Sequence, residues 1–274
     1  MKRFFALFAA LTLLCTGISA QTAACRTETG IAYRDAAGDG YVDSLCRLDI
    51  CWPADRKGFP TVVWFHGGGL TGGRREIPKA LCGKGFAVVG VDYRLAPRVK
   101  VADCVADAAA AAAWVVKNIA SYGGDPRLIF IAGHSAGGYL TSMIGLDKRW
   151  MAPYGIDPDT AFAALIPYSG QVVTHFARRR EMGIPDTQVV VDDMAPLNYI
   201  RPDCPPILIL SGDRGREMLG RHEENAYFWR MMQVAGHPDV EIREFDGFDH
   251  GNMPQAGHYV AVRYIRDFVK KLER

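Results

Sequence analysis

The pentapeptide Gly133-His134-Ser135-Ala136-Gly137 constrains this 274-residue chain more than any other segment. It follows the apolar, strand-forming run Leu128-Ile129-Phe130-Ile131-Ala132 and precedes a helix expected over 138–146. Strand, sharp turn and helix form the setting in which Gly-x-Ser-x-Gly lifts a serine hydroxyl to the tip of a sheet. Cβ atoms two residues before and after that serine would clash, and glycine removes them. The following helix presents its N-terminus, which favours developing negative charge. A serine held this way is suited to attack on a carbonyl carbon. A glycine-serine turn after a buried strand is the plainer reading of the pentapeptide alone.

A second glycine-rich segment weighs against that plainer reading. His66-Gly67-Gly68-Gly69 directly follows the apolar run Thr61-Val62-Val63-Trp64-Phe65. Consecutive glycines leave their amides unshielded, so the N–H groups can point at a ligand oxygen. The expected oxyanion donors are the N–H groups of Gly67, Gly68 and Ala136, the last directly after the nucleophile. One preorganised donor of this kind is worth about 3–4 kcal/mol in the transition state.

A third segment, Asp92-Tyr93-Arg94-Leu95-Ala96-Pro97, closes the apolar strand over 86–91. The ordered set of His-Gly-Gly-Gly, Asp-Tyr-Arg-Leu-Ala-Pro and Gly-His-Ser-Ala-Gly-Gly resembles the hormone-sensitive-lipase-like branch of the α/β-hydrolases. That branch includes bacterial carboxylesterases and acetyl- or feruloyl-esterase-like proteins. The resemblance spans roughly residues 58–272. It implies a serine hydrolase with a Ser135 nucleophile, and a bracing rather than catalytic role for Asp92 and Arg94.

Triads of this fold run Ser, acid, His along the chain. Five histidines follow Ser135: His175, His222, His237, His250 and His258. His250 lies in Phe248-Asp249-His250-Gly251, just past the strand-like run 240–245, where the fold delivers its base. His222 and His258 fall on expected helices and read as surface or capping residues. An imidazole can take the serine proton and return it to the leaving group. The acid is expected beyond the buried run 206–211. The resemblance places it three residues after Gly212, and this chain has Gly215 there. Asp213 is preferred because it sits at the strand tip; Glu217 competes because its longer side chain can reach back. Whichever serves must hold the imidazole tautomer and stabilise the imidazolium.

The amino-terminal segment reads as an export signal over 1–20, leaving one α/β-hydrolase domain over 21–274. Lys2 and Arg3 precede an apolar stretch over 4–14, and Ser19-Ala20 offers a cleavage site. The stretch is short for a membrane span. Cys25, after Ala23 and Ala24, is a weaker lipid-anchor candidate. The expected location is therefore periplasmic or extracellular, with no stable membrane insertion. Removing Lys2 and Arg3 takes the net charge from +2 to 0. Neither nucleic acid nor a polybasic membrane contact is indicated. Six cysteines remain, at 25, 46, 51, 82, 104 and 204, and no pairing is assigned from sequence. No cysteine-histidine spacing fits a zinc site, and no cofactor is implied.

Apolar strands are expected at 61–65, 86–91, 127–132, 161–167, 206–211 and 240–245, alternating with helices at 105–119, 138–146, 222–235 and 257–272. This alternation predicts an α/β fold with a mainly parallel sheet and helices on both faces. The site belongs at the carboxyl ends of its strands. The segment between Gly170 and Cys204 is the main insertion and forms at most a minimal cap. An open site suits small acyl groups on bulky alcohols, so a small-molecule or carbohydrate ester is the expected substrate. Rival readings are a lipid esterase, a serine peptidase of the same fold, and a non-catalytic relative suggested by Gly215.

Overall fold

The structure is a computed structural model that describes residues 25–218 and 220–272. The expected export signal and its cleavage site lie outside the described residues. Among the described residues, eight strands form one sheet: β1 (Cys25–Ala32), β2 (Arg47–Pro53), β3 (Phe59–Phe65), β4 (Ala87–Val91), β5 (Gly124–His134), β6 (Ala164–Tyr168), β7 (Ile207–Gly212) and β8 (Val240–Phe245). Their spatial order is β1-β2-β4-β3-β5-β6-β7-β8. β1 and β2 pair antiparallel at one edge, and every pairing from β4 to β8 is parallel.

Among the described residues, seven α-helices accompany the sheet: α1 (Gly40–Leu45), α2 (Val101–Tyr122), α3 (Ala136–Leu146), α4 (Pro158–Ala161), α5 (Phe176–Glu181), α6 (Arg221–Val234) and α7 (Met253–Leu272). Central strands are largely apolar because both faces are covered, and β4, β6 and β7 are buried at every position. On β3, Val63 and Phe65 join the core packed by α2 and α3, while Val62 and Trp64 join the core packed by α7. The alanine run Ala108–Ala113 of α2 is buried throughout, so small side chains let the helix approach the sheet closely. Gly123, with φ of 95°, ends α2 in the left-handed conformation that glycine adopts freely.

The amino-terminal region contains the short helix α1 between β1 and β2. Asp39 caps it by accepting from the N–H groups of Tyr41 and Val42. The insertion after Gly170 packs closely on the body of the fold. Tyr139 Oη donates to the Met194 carbonyl at 2.9 Å, and Glu181 accepts from the Val101 N–H at the start of α2 at 2.6 Å. Buried Arg179 holds the return of the segment by donating to the carbonyls of Asp186 and Gln188, both at 2.7 Å.

Candidate active site

Parallel register brings the carboxyl ends of the central strands together. Phe65 of β3 pairs with Gly133 of β5, and His134 of β5 pairs with Tyr168 of β6. Ser135 sits at this junction with φ of 56° and ψ of −113°, a conformation uncommon for a non-glycine residue. Its N–H is held by the Tyr168 carbonyl at 2.8 Å, which compensates part of the strain. The elbow depends on close backbone contact. A Cβ on Gly137 would fall 2.0 Å from the Phe65 carbonyl oxygen. Gly68 has φ of 113°, and a Cβ there would lie 2.2 Å from the Gly72 carbonyl oxygen. Gly67 packs against Ser135, with its would-be Cβ 3.4 Å from the serine Cβ, so the glycine loop lies beside that serine.

Ser135 Oγ donates to His250 Nε2 at 2.9 Å. The other ring nitrogen, Nδ1, donates to Glu217 Oε1. Glu217 is 8% exposed, whereas Ser135 and His250 are partly open to solvent. Its second oxygen accepts from Ser169 Oγ at 2.6 Å and from the Gly212 N–H at 3.2 Å, and its first also takes the Met218 N–H at 2.9 Å. Burial alone would raise this carboxyl pKa. The hydrogen bonds from His250 and Ser169 and the attraction of His250 outweigh burial and bring it down to about 2.

The preferred acid, Asp213, is corrected by this geometry. Its carboxylate accepts from the N–H groups of Gly215 and Gly247, each at 2.7 Å, and so braces two surface turns. Glu217, one turn later, enters the site instead. Position 215 carries no side chain to compete with it. The expected surface or capping roles of His222 and His258 are also corrected: both are 8% exposed. His222 Nδ1 meets Ser211 Oγ at 3.2 Å, and His258 Nδ1 accepts from Tyr168 Oη at 3.3 Å.

Three supporting residues escaped the sequence reading. His134, the variable position before the serine, donates from Nε2 to the His250 carbonyl at 2.8 Å. Burial, followed by repulsion from His250, lowers its pKa to about 4, so it is neutral at pH 7. Ser169 follows β6 with φ of 43° and is fully buried. A Ser-Gly pair at the carboxyl end of an apolar strand was the available signal for it. Arg75 closes the glycine-rich connection, donating from Nε to Asp49 at 2.9 Å and from an Nη to Asp92 at 2.6 Å. Asp92 in turn lies 3.5 Å from Nε2 of His66, whose ring stacks on Tyr93 at 4.3 Å. Arg94 braces the same region through fully buried Asp107, at 2.7 and 2.9 Å. Among the described residues, no group of histidine, cysteine and carboxylate side chains is arranged to hold a metal ion. No described helix is long and apolar enough to cross a membrane.

The sequence model of the BD-FAE family matches residues 48–163, a span that includes the glycine loop and the nucleophile elbow. The probable carboxylic ester hydrolase LipM of Mycobacterium tuberculosis is 30% identical over 241 residues, covering 76% of this chain and 55% of LipM. The chain has the α/β-hydrolase fold and is similar in sequence to bacterial carboxylic ester hydrolases. It spans about half the length of the curated relatives it matches first. Among solved structures, the propionate-bound esterase Est2 of Thermogutta terrifontis superposes with a TM-score of 0.69 at 26% identity, covering 88% of this chain and 94% of that one. A truncated carbohydrate esterase from gut microbiota gives a TM-score of 0.72 at 19% identity, covering 91% and 98%, a likeness of fold.

Proposed function

We propose that this chain is an exported serine carboxylic ester hydrolase that works through an acyl-enzyme on short or aromatic acyl esters, including those of carbohydrates. One observation carries the reading: an unbroken hydrogen-bond line from Ser135 Oγ through His250 to Glu217. In this mechanism Ser135 attacks the ester carbonyl while His250 Nε2 takes the hydroxyl proton. Glu217 keeps the proton on Nδ1 and offsets the imidazolium charge. The N–H groups of Gly67, Gly68 and Ala136 receive the developing oxyanion. His250 then protonates the departing alcohol, and water repeats the sequence on the acyl-serine.

The small insertion supports short acyl groups on bulky alcohols. Exposed apolar side chains within it, Met182, Val189 and Val191, favour a second reading as a lipid esterase. A p-nitrophenyl ester series from acetate to palmitate decides between them. Activity falling steeply beyond short chains supports the proposal, and a maximum at long chains supports the lipid reading. Ser135→Ala is expected to fold and lose turnover on every ester. Full activity in a folded Ser135→Ala protein would overturn the nucleophile assignment.

A further inference from the structure

Three of the six cysteines after residue 20 converge at the antiparallel edge of the sheet, away from the hydrolytic site. Cys51 lies on β2, opposite Thr27 of β1 on one side and Val88 of β4 on the other. Just before β4, a turn is closed by the Leu81 N–H on the Pro78 carbonyl at 2.9 Å and the Cys82 N–H on the Lys79 carbonyl at 3.3 Å. Leu81 anchors that turn in the same core cluster as Val88. The turn is thereby held over the face of β2 that carries Cys51. The Cys51 thiol is within hydrogen-bond reach of both Cys82 and Cys25, and the Gly83 backbone meets the Cys25 side chain.

We propose that Cys51 and Cys82 form a disulfide when the chain meets an oxidising compartment, clamping the end of the β3–β4 connection onto β2. The pairing is chosen by register. Cys25 lies opposite Pro53 and Cys51 opposite Thr27, so Cys25 and Cys51 are diagonal neighbours. Such positions sit about 7–8 Å apart, beyond the usual disulfide Cα span of about 4.4–6.8 Å. Cys82 comes from a turn and is free of that constraint. Cys25 is exposed and stands beside the bridge as a thiol for exchange, while Cys51 is 7% exposed. The chemistry balances with a small-molecule disulfide as oxidant. Two thiols and one R–S–S–R give the Cys51–Cys82 bond and two R–SH, the protons and electrons passing to the leaving thiols. The bridge closes a loop containing β3, the glycine loop and Arg75, so it restrains the segment that carries the proposed oxyanion donors. Burial holds all three thiol pKa values above their usual position, which suits a lasting bridge better than a fast redox sensor.

The test is peptide mapping of the full chain, equilibrated with oxidised glutathione and alkylated after denaturation without reductant. The expected result is one Cys51–Cys82 linked peptide, with Cys25, Cys46, Cys104 and Cys204 alkylated. Dithiothreitol should lower the melting temperature of the wild type by about 5–10 °C and leave Cys82→Ser unmoved. Full alkylation of Cys51 and Cys82, or a dominant Cys25–Cys51 bridge, would overturn the assignment. Mapping of the wild type decides it even if Cys82→Ser fails to fold.

Discussion

Glu217 donates its backbone N–H to the Asp213 carbonyl oxygen at 2.7 Å, and that single turn sends two neighbouring carboxylates to different partners. Asp213 turns outward to two glycine amides, and Glu217 turns inward to His250 Nδ1. The two therefore differ sharply in expected effect. Glu217→Gln removes the negative charge and favours the wrong imidazole tautomer, so kcat should fall by about 10³–10⁴. Asp213→Asn should change kcat by less than about threefold, because its carboxylate makes no contact with the imidazole. Steady-state hydrolysis of p-nitrophenyl acetate by both variants measures the difference. The reverse ranking would return the acid to Asp213.

Ser169 supplies the second constraint on Glu217. Its hydroxyl donates to Oε2 at 2.6 Å from a fully buried position, and Arg221 holds its carbonyl at 2.6 Å. Ser169→Ala deletes a bond to the charged form of the acid, so the Glu217 pKa should rise from about 2. A kcat loss of about tenfold is expected, equivalent to about 1.4 kcal/mol. KM should hold, because the hydroxyl faces the acid. An unchanged kcat would mean that Gly212, Met218 and His250 alone fix the carboxylate.

These two residues mark the limit of what the sequence made legible. The glycine-flanked Ser135, the glycine loop and the order of the apolar strands follow from local rules about Cβ clashes and buried faces. His250 followed from its place after the last strand. The acid did not, because its identity depends on a turn that reverses the side-chain direction between residues 213 and 217. It also depends on the hydroxyl of Ser169, the residue that follows β6. The convergence of Cys51 and Cys82 was hidden for the same reason: strand order at the sheet edge, rather than spacing along the chain, makes them neighbours.

Arg75 connects the glycine loop to the sheet, with Asp49 of β2 on one side and Asp92 on the other. Arg75→Met leaves Asp92, which is 5% exposed, without its main cation. A stability loss of about 1–3 kcal/mol is expected, seen as a lower urea midpoint. The loosened loop should also cost roughly tenfold in kcat through the oxyanion donors. Arg75→Lys should recover stability better than activity, since an ammonium cannot reproduce the fork to two carboxylates. A kcat unchanged in Arg75→Met would separate this ion pair from catalysis.

Buried histidines set the acid side of the stability profile. Burial lowers the pKa of His258 to about 4, and burial followed by repulsion from Arg221 lowers that of His175 to about 3. Burial followed by repulsion from His250 lowers His134 to about 4. In the unfolded chain each takes a proton near pH 6.5. Between about pH 6.5 and 4 the unfolded state therefore binds more protons than the native state, and stability falls as pH falls. Glu217 acts in a lower window: its contribution is present above its unfolded value of 4.5 and is lost as pH falls towards about 2. His258→Gln keeps an acceptor for Tyr168 Oη and cannot take up a proton. Its unfolding free energy should decline less steeply than that of the wild type from pH 6.5 to 4, by at most about 1.4 kcal/mol per pH unit. Urea unfolding at half-unit pH steps measures this slope. Parallel profiles for the two proteins would show that His258 titrates in the folded state as it does in the unfolded chain.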